Sequence, residues 1–374
     1  MLPYDNHSLD AAIDRMIRVG TVSDEALPAL LSSVLGRAVP PTAVSERKER
    51  METARSRLRT LLQDPGITQR TQEWYDARMT MVTASDFAQA LGCAKFGTQR
   101  DFFVKKCSNE PSTFNASLPP LRWGIMFEPV ACSLYSWLNA GILVHDFGLL
   151  RHPTVPYLGA SPDGITEDGV MVEIKCPWRR KIDGEIPLQY YYQIQGQLAV
   201  CGLDDCDYFE CEFQAECAES LASFDGPAFE RGVFVEVCFA EEMRPAQYSY
   251  PPNGIGQDLT ELIKWLAAEI ALPREKGAEV RPQWWSLVKC ATIRVRQDAA
   301  FVADMLAQLD TVWTGGVMRY RTDAAAYDAE IKNAVVKKRI PAVPKTITKR
   351  AQEKIQDAAL MKEYAFVELE DEDV

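Results

Sequence analysis

Apolar residues recur at helical spacing over residues 10–18 and again over 44–62, with the Pro40-Pro41 pair between the two runs. This pattern predicts helices within residues 1–70. The second run is rich in Arg and Glu, so one of its faces is expected to meet solvent. Further along, residues 121–140 read as a helix and residues 155–160 and 170–176 as strands joined by a tight Asp163-Gly164 turn. A helix over 186–201 and a strand over 208–213 follow. After Phe224, Pro and Gly punctuate the chain before a helix at 259–271, a strand at 284–295 and a helix at 298–312. Strand, turn, strand, helix, strand is the order of a mixed α/β core. No internal repeat is present.

Composition narrows the class. The chain has 374 residues, of which 47% are hydrophobic, enough for a full globular core. The first twenty residues carry Asp5, Asp10 and Asp14 and no apolar run, so they do not read as a secretory signal. No stretch approaches the roughly eighteen apolar residues of a membrane span. The expectation is a soluble, intracellular protein without a membrane partner. The ten cysteines contain no C-x-x-C pair, and even the series Cys201, Cys206, Cys211, Cys217 is too loosely spaced for a zinc or iron–sulfur site. They are expected to be reduced thiols. The net charge of -12 argues against nucleic acid at first sight. However, six acids fall in the last twelve residues, and carboxylates that hold a metal ion have their charge offset by it. From about residue 328 the chain turns basic and then acidic, as a solvated appendage or a DNA-touching tail would.

The stretch Ser161-Pro162-Asp163-Gly164, followed eight residues later by Glu173-Ile174-Lys175-Cys176-Pro177, carries candidate chemistry. On a strand, Glu173 and Lys175 share one face, and Val172 and Ile174 share the other. The apolar pair can anchor the strand while the charged pair faces a cleft. A hairpin would bring Asp163 alongside Glu173. Two carboxylates and the Ile174 carbonyl suit Mg2+ or Mn2+, which prefer oxygen ligands. A metal so held polarises a phosphate and acidifies its bound water. A neighbouring lysine orients that water or stabilises the phosphorane charge. On spacing alone, a surface hairpin with a Glu–Lys pair explains the pattern equally well.

Four blocks, taken together, resemble the lambda-type exonucleases, the YqaJ viral recombinase family within the PD-(D/E)xK nuclease superfamily. They are Trp74-Tyr75-Asp76-Ala77-Arg78 with Val82-Thr83-Ala84-Ser85; Trp123-Gly124-Ile125-Met126-Phe127-Glu128; the S-P-D-G…E-I-K-C-P stretch; and Tyr192-Gln193-Ile194-Gln195-Gly196-Gln197. A weaker echo covers Thr292-Ile293-Arg294-Val295. The resemblance implies a restriction-endonuclease-like α/β core with a mixed central sheet flanked by helices. That core would occupy residues 71–325, with an insertion at about 224–285, a helical N-terminal extension over 1–70 and a charged tail over 326–374.

The function implied is a Mg2+- or Mn2+-dependent 5′-to-3′ exonuclease on double-stranded DNA. Its setting would be recombination, repair or viral genome processing in the cytoplasm or nucleus of a host cell, beside a single-strand annealing protein. Asp163 and Glu173 match the metal ligands and Lys175 the catalytic lysine. Glu128 matches the helix carboxylate that organises the metal, and Gln193 the glutamine closing the lysine's side of the cleft. Arg78, Ser85 and Ser161 match the residues that hold the 5′-terminal phosphate. Ser85, at the start of a helix-like run, also reads as an N-cap. Known members form homo-oligomeric rings or act as monomers, and nothing in this chain marks an interface. A structure-specific or restriction-like endonuclease on the same fold, and a non-catalytic DNA-binding relative, are the alternatives. Trp74, Trp123, Trp284 and Trp285 could stack on bases, but packing suits most of them better, and none is assigned a site role.

Overall fold

The computed structural model describes residues 9–20, 22–108, 118–239, 246–252 and 258–333. The basic-then-acidic part of the tail lies outside them. Helices α1 (Leu9–Val19), α2 (Leu27–Leu35) and α3 (Pro41–Leu61) open the chain. The short α2 has Pro28 in its first turn and Gly36 at φ 61° after its last residue, a start and stop pair that the apolar spacing alone did not reveal. Helix α3 begins on Pro41, ahead of the expected position 44, because proline lacks only an amide that a first turn does not use.

Next come α4 (Gln72–Met79), β1 (Val82–Thr83), a 3-10 turn at Ala84–Asp86, α5 (Phe87–Ala90), α6 (Gln99–Cys107) and α7 (Pro119–Leu138). Four short strands follow: β2 (Val144–His145), β3 (Leu150–Arg151), β4 (Leu158–Ala160) and β5 (Gly164–Thr166). Then come β6 (Met171–Lys175), α8 (Leu188–Cys201), β7 (Asp205–Glu216), α9 (Ala218–Ala222), β8 (Arg231–Cys238) and β9 (Gln247–Ser249). The chain continues through α10 (Leu259–Glu275), β10 (Glu279–Arg296) and α11 (Ala299–Val312), with further helical turns to Lys332.

The strands form two sheets, β1-β4-β3 and β2-β5-β6-β7-β10-β8-β9. In the larger sheet only β6 and β7 are parallel, and α8 makes the crossover that parallel strands require. The expected hairpin is present, but with different strands and a different turn. Residues 158–160 join β1 and β3 in the small sheet, and the partner of β6 is β5. The chain reverses through Asp168-Gly169, with Gly169 at φ 77°, so the turn dipeptide is the second Asp-Gly of the region and not the first. Gly164 instead starts β5, where a Cβ would lie 2.3 Å from Val144.

The two faces of β6 pack as its alternation predicts. Val172 and Ile174 join Met126, Phe127 and Val130 of α7 in one core. Met171 lies on the other side with Ile194 and Leu198 of α8 and with Tyr208. This helix–sheet–helix arrangement around a mixed sheet is the mixed α/β core that the element order predicts. Residues 231–296 extend the same sheet, because the long β10 pairs with β7 along one stretch and β8 along another. The N-terminal helices are fixed to the sheet by buried charge: Arg47 bridges Asp14 and Asp205, and Arg294 bridges Asp207 (2.6 Å) and Asp14 (3.0 Å). All ten cysteines are free thiols. Among the described residues, no helix is long and apolar enough to cross a membrane.

Candidate active site

The pairing of Gly164 with Val172 sets Asp163 beside Glu173. Asp163 Oδ2 accepts a hydrogen bond from the Ile174 amide at 2.7 Å. The carbonyl of a strand residue points to the same side as its amide, so the Ile174 carbonyl also faces Asp163. Lys175 Nζ donates to Glu173 and lies 4.0 Å from Asp163 Oδ2 and 5.1 Å from the Tyr190 ring. Glu173 is fully buried, and its Oε2 has no partner among the described residues. Glu128, on α7, lies 3.7 Å from Arg70 and keeps 39% of its side chain open.

Negative charge accumulates here. Burial, then the charges of Glu173 and Glu128, push the Asp163 carboxyl well above its ordinary range, against the pull of Lys175. Burial also raises Glu128, which Arg70 and Lys175 oppose. Burial works against the Lys175 ammonium, but Glu173 and Asp163 outweigh it and hold the group above its usual value.

The parallel register places Tyr208 beside Glu173 and Glu210 beside Lys175. Glu210 takes the Tyr208 hydroxyl and the Arg180 guanidinium, and its Oε2 is also unpartnered among the described residues. The sequence reading missed this trio. Its one local signal was an acid two residues after a tyrosine in a buried strand.

The fit to a divalent cation is mixed. Glu173's bare oxygen, the strained ionisation of Asp163 and an all-oxygen donor set suit a hard cation. Yet among the described residues no three His, Cys, Asp or Glu side chains are already gathered as ligands, since the Lys175 ammonium bridges Glu173 and Asp163. The donors fit the ion in chemistry, and Lys175 must give way for them to close on it.

A second cluster lies at the other end of the S-P-D-G stretch. Arg78 donates to Ser85 Oγ at 3.1 Å and covers the Trp74 ring at 4.4 Å, and Trp74 Nε1 donates to Ser161 Oγ at 3.2 Å. The structure thus joins Arg78, Ser85 and Ser161 through Trp74, to which the sequence alone assigned no site role. Ser85 is not an N-cap. The helical turn starts after Thr83, with Ser85 inside it, and this leaves the Ser85 hydroxyl for Arg78.

Gln193 is half-buried on α8 and makes no side-chain hydrogen bond among the described residues. Gln197, one turn further on, is buried. Its Nε2 lies 3.4 Å from the Ser161 carbonyl, and its Oε1 is unpartnered among the described residues.

The hairpin of a mixed sheet thus brings Asp163, Glu173 and Lys175 together. Residues 73–204 match the YqaJ-like viral recombinase domain. An uncharacterized protein of Acanthamoeba polyphaga mimivirus is 24% identical over 74% of this chain and 57% of its own length. An African swine fever virus protein is 27% identical over 35% of this chain and 46% of its own length. The chain therefore spans about half the length of these viral relatives. Among solved structures, an alkaline exonuclease from Laribacter hongkongensis is 20% identical with TM-score 0.39, covering 76% of this chain and 100% of that one. A phage-related exonuclease from Haemophilus somnus is 12% identical with TM-score 0.38, covering 66% and 96%.

Proposed function

We propose that the protein is a metal-dependent 5′-to-3′ exonuclease that hydrolyses duplex DNA from its ends, in recombination or viral genome processing. One observation carries the reading: Ser161, joined to Arg78 and Ser85 through Trp74, stands two residues from Asp163, joined to Glu173 and Lys175. Two residues reach at most about 7 Å. A phosphate-binding cluster and a hydrolytic cluster therefore sit side by side, as a strand end demands.

In this reading Arg78 forks the 5′-terminal phosphate and Ser85 and Ser161 donate to it. Asp163, Glu173 and the Ile174 carbonyl would hold Mg2+ or Mn2+, with Glu128 helping to organise the site. The ion supplies a polarised phosphate and an acidified water when bound. Lys175 orients the water and neutralises charge building on the phosphate. Water adds to phosphorus, the bond from phosphorus to the 3′ oxygen breaks, and the 3′ oxygen takes a proton. A 5′-mononucleotide leaves, and the new end carries a 5′-phosphate that refills the Arg78 cluster. Gln193 closes the cleft on the Tyr190 side. A strand-annealing protein and a second copy of the chain are the partners such an enzyme would take.

Arg78→Ala is expected to slow digestion of 5′-phosphorylated duplexes about tenfold more than that of 5′-hydroxyl duplexes, the loss of one charge-assisted contact. Equal slowing on the two ends, read from initial rates, would remove the phosphate role of Arg78.

A further inference from the structure

The charges beneath Ser85 do not balance. Asp86, almost fully buried, takes Lys105 Nζ at 2.8 Å, Lys106 Nζ at 3.0 Å and the Thr83 hydroxyl at 3.1 Å. Lys106 has a fully buried side chain and also donates to the Arg78 carbonyl at 2.7 Å. Arg78 acts electrostatically on the same carboxylate. Three cations thus face one anion, a surplus of two. Burial pushes the Lys106 ammonium down to about 8, with Asp86 opposing and Lys105 adding to the fall. Asp86 is held far below the carboxylate range: burial raises it, but Lys106, Lys105 and Arg78 prevail.

Enclosed like charges cost stability unless something pairs with them. The excess opens toward solvent at Lys105, whose side chain is 34% exposed, and at the half-buried Arg78, whereas the side chain of Lys106 is wholly enclosed. A terminal phosphate monoester carries about -1.5 to -2 at neutral pH, the charge this cluster lacks.

We propose that Lys105 is a further binding residue for the 5′-terminal phosphate, with Asp86 and Lys106 positioning it and the Arg78 turn. This rests on the reading of Arg78 and Ser85 as the phosphate cluster. Asp86 holds the Lys105 ammonium until the phosphate arrives, and Lys106 ties α6 to the end of α4, so that Lys105 and Arg78 meet the same group.

The test is steady-state digestion by the full chain with Mg2+, on duplexes differing only in a 5′-phosphate or 5′-hydroxyl. The readout is the ratio of kcat/KM on the two ends, which cancels any loss of folded protein. Lys105→Met is expected to lower that ratio about tenfold through KM on the phosphorylated end, and Lys105→Arg to keep most of it. A Lys105→Met ratio equal to wild type, beside an Arg78→Ala ratio that falls, overturns the Lys105 role and leaves the Arg78 reading standing. A ratio unmoved by both substitutions overturns the phosphate cluster itself, and this inference with it.

Discussion

Lys175→Ala is expected to lower turnover about 10²–10³-fold, the cost of removing one preorganised charge from a reacting phosphate. In the proposed reading the loss falls on kcat more than on KM, because the ammonium would act where negative charge develops while the Arg78 cluster would still hold the strand end. The substitution has a second consequence. Lys175, with the Ile174 amide, pulls the Asp163 carboxyl down against burial, Glu173 and Glu128. Without it Asp163 rises further, and a protonated Asp163 is a poorer ligand. The acid limb of the residual pH–rate profile should therefore move to higher pH. A variant that digests DNA at the wild-type rate, with an unmoved acid limb, would remove Lys175 from the chemistry.

The second large effect is on stability. Arg294→Met is expected to destabilise the fold by about 3–5 kcal/mol, as breaking one side of a buried ion network does. The guanidinium sits between Asp207 and Asp14, and its loss leaves two buried carboxylates short of a partner. Asp207 would retain the Tyr135 hydroxyl at 2.7 Å, and Asp14 would retain Arg47. Because Asp14 belongs to α1 and Asp207 to β7, the N-terminal helices should loosen from the sheet together. Urea unfolding followed by circular dichroism measures this, and a change below about 1 kcal/mol would mean the network is solvated.

Much of the central hairpin was legible, because strand alternation has a period of two whatever surrounds it. That rule put Glu173 and Lys175 on one face, where they meet, and Val172 and Ile174 on the other, where they share a core with α7. The turn was misplaced for an equally local reason. Asp163-Gly164 and Asp168-Gly169 carry the same signal, and only the packing of Gly164 against Val144 separates strand start from turn. Ser85 lost its capping role because Thr83 lies just before the helical turn and bonds Asp86 itself. The rest depended on distance along the chain. Trp74 meets Ser161 across 87 residues, Arg180 meets Glu210 across 30, and Lys106 meets the Arg78 carbonyl across 28. No spacing rule reaches that far. Of the sheet extension, the strand at 284–295 was legible but β8 and β9 were not, since β8 is fixed by pairing with the far edge of β10.

The central claim is that Asp163, Glu173 and Lys175 cut DNA from a 5′ end beside the Arg78 cluster. Its most direct test is a time course on linear duplex labelled at its 5′ end, run beside a covalently closed circle, with and without Mg2+. The account predicts early release of labelled mononucleotide, an intact circle, and no release without the ion. Cutting of the circle as fast as the linear duplex, or label leaving only in longer fragments, would contradict it.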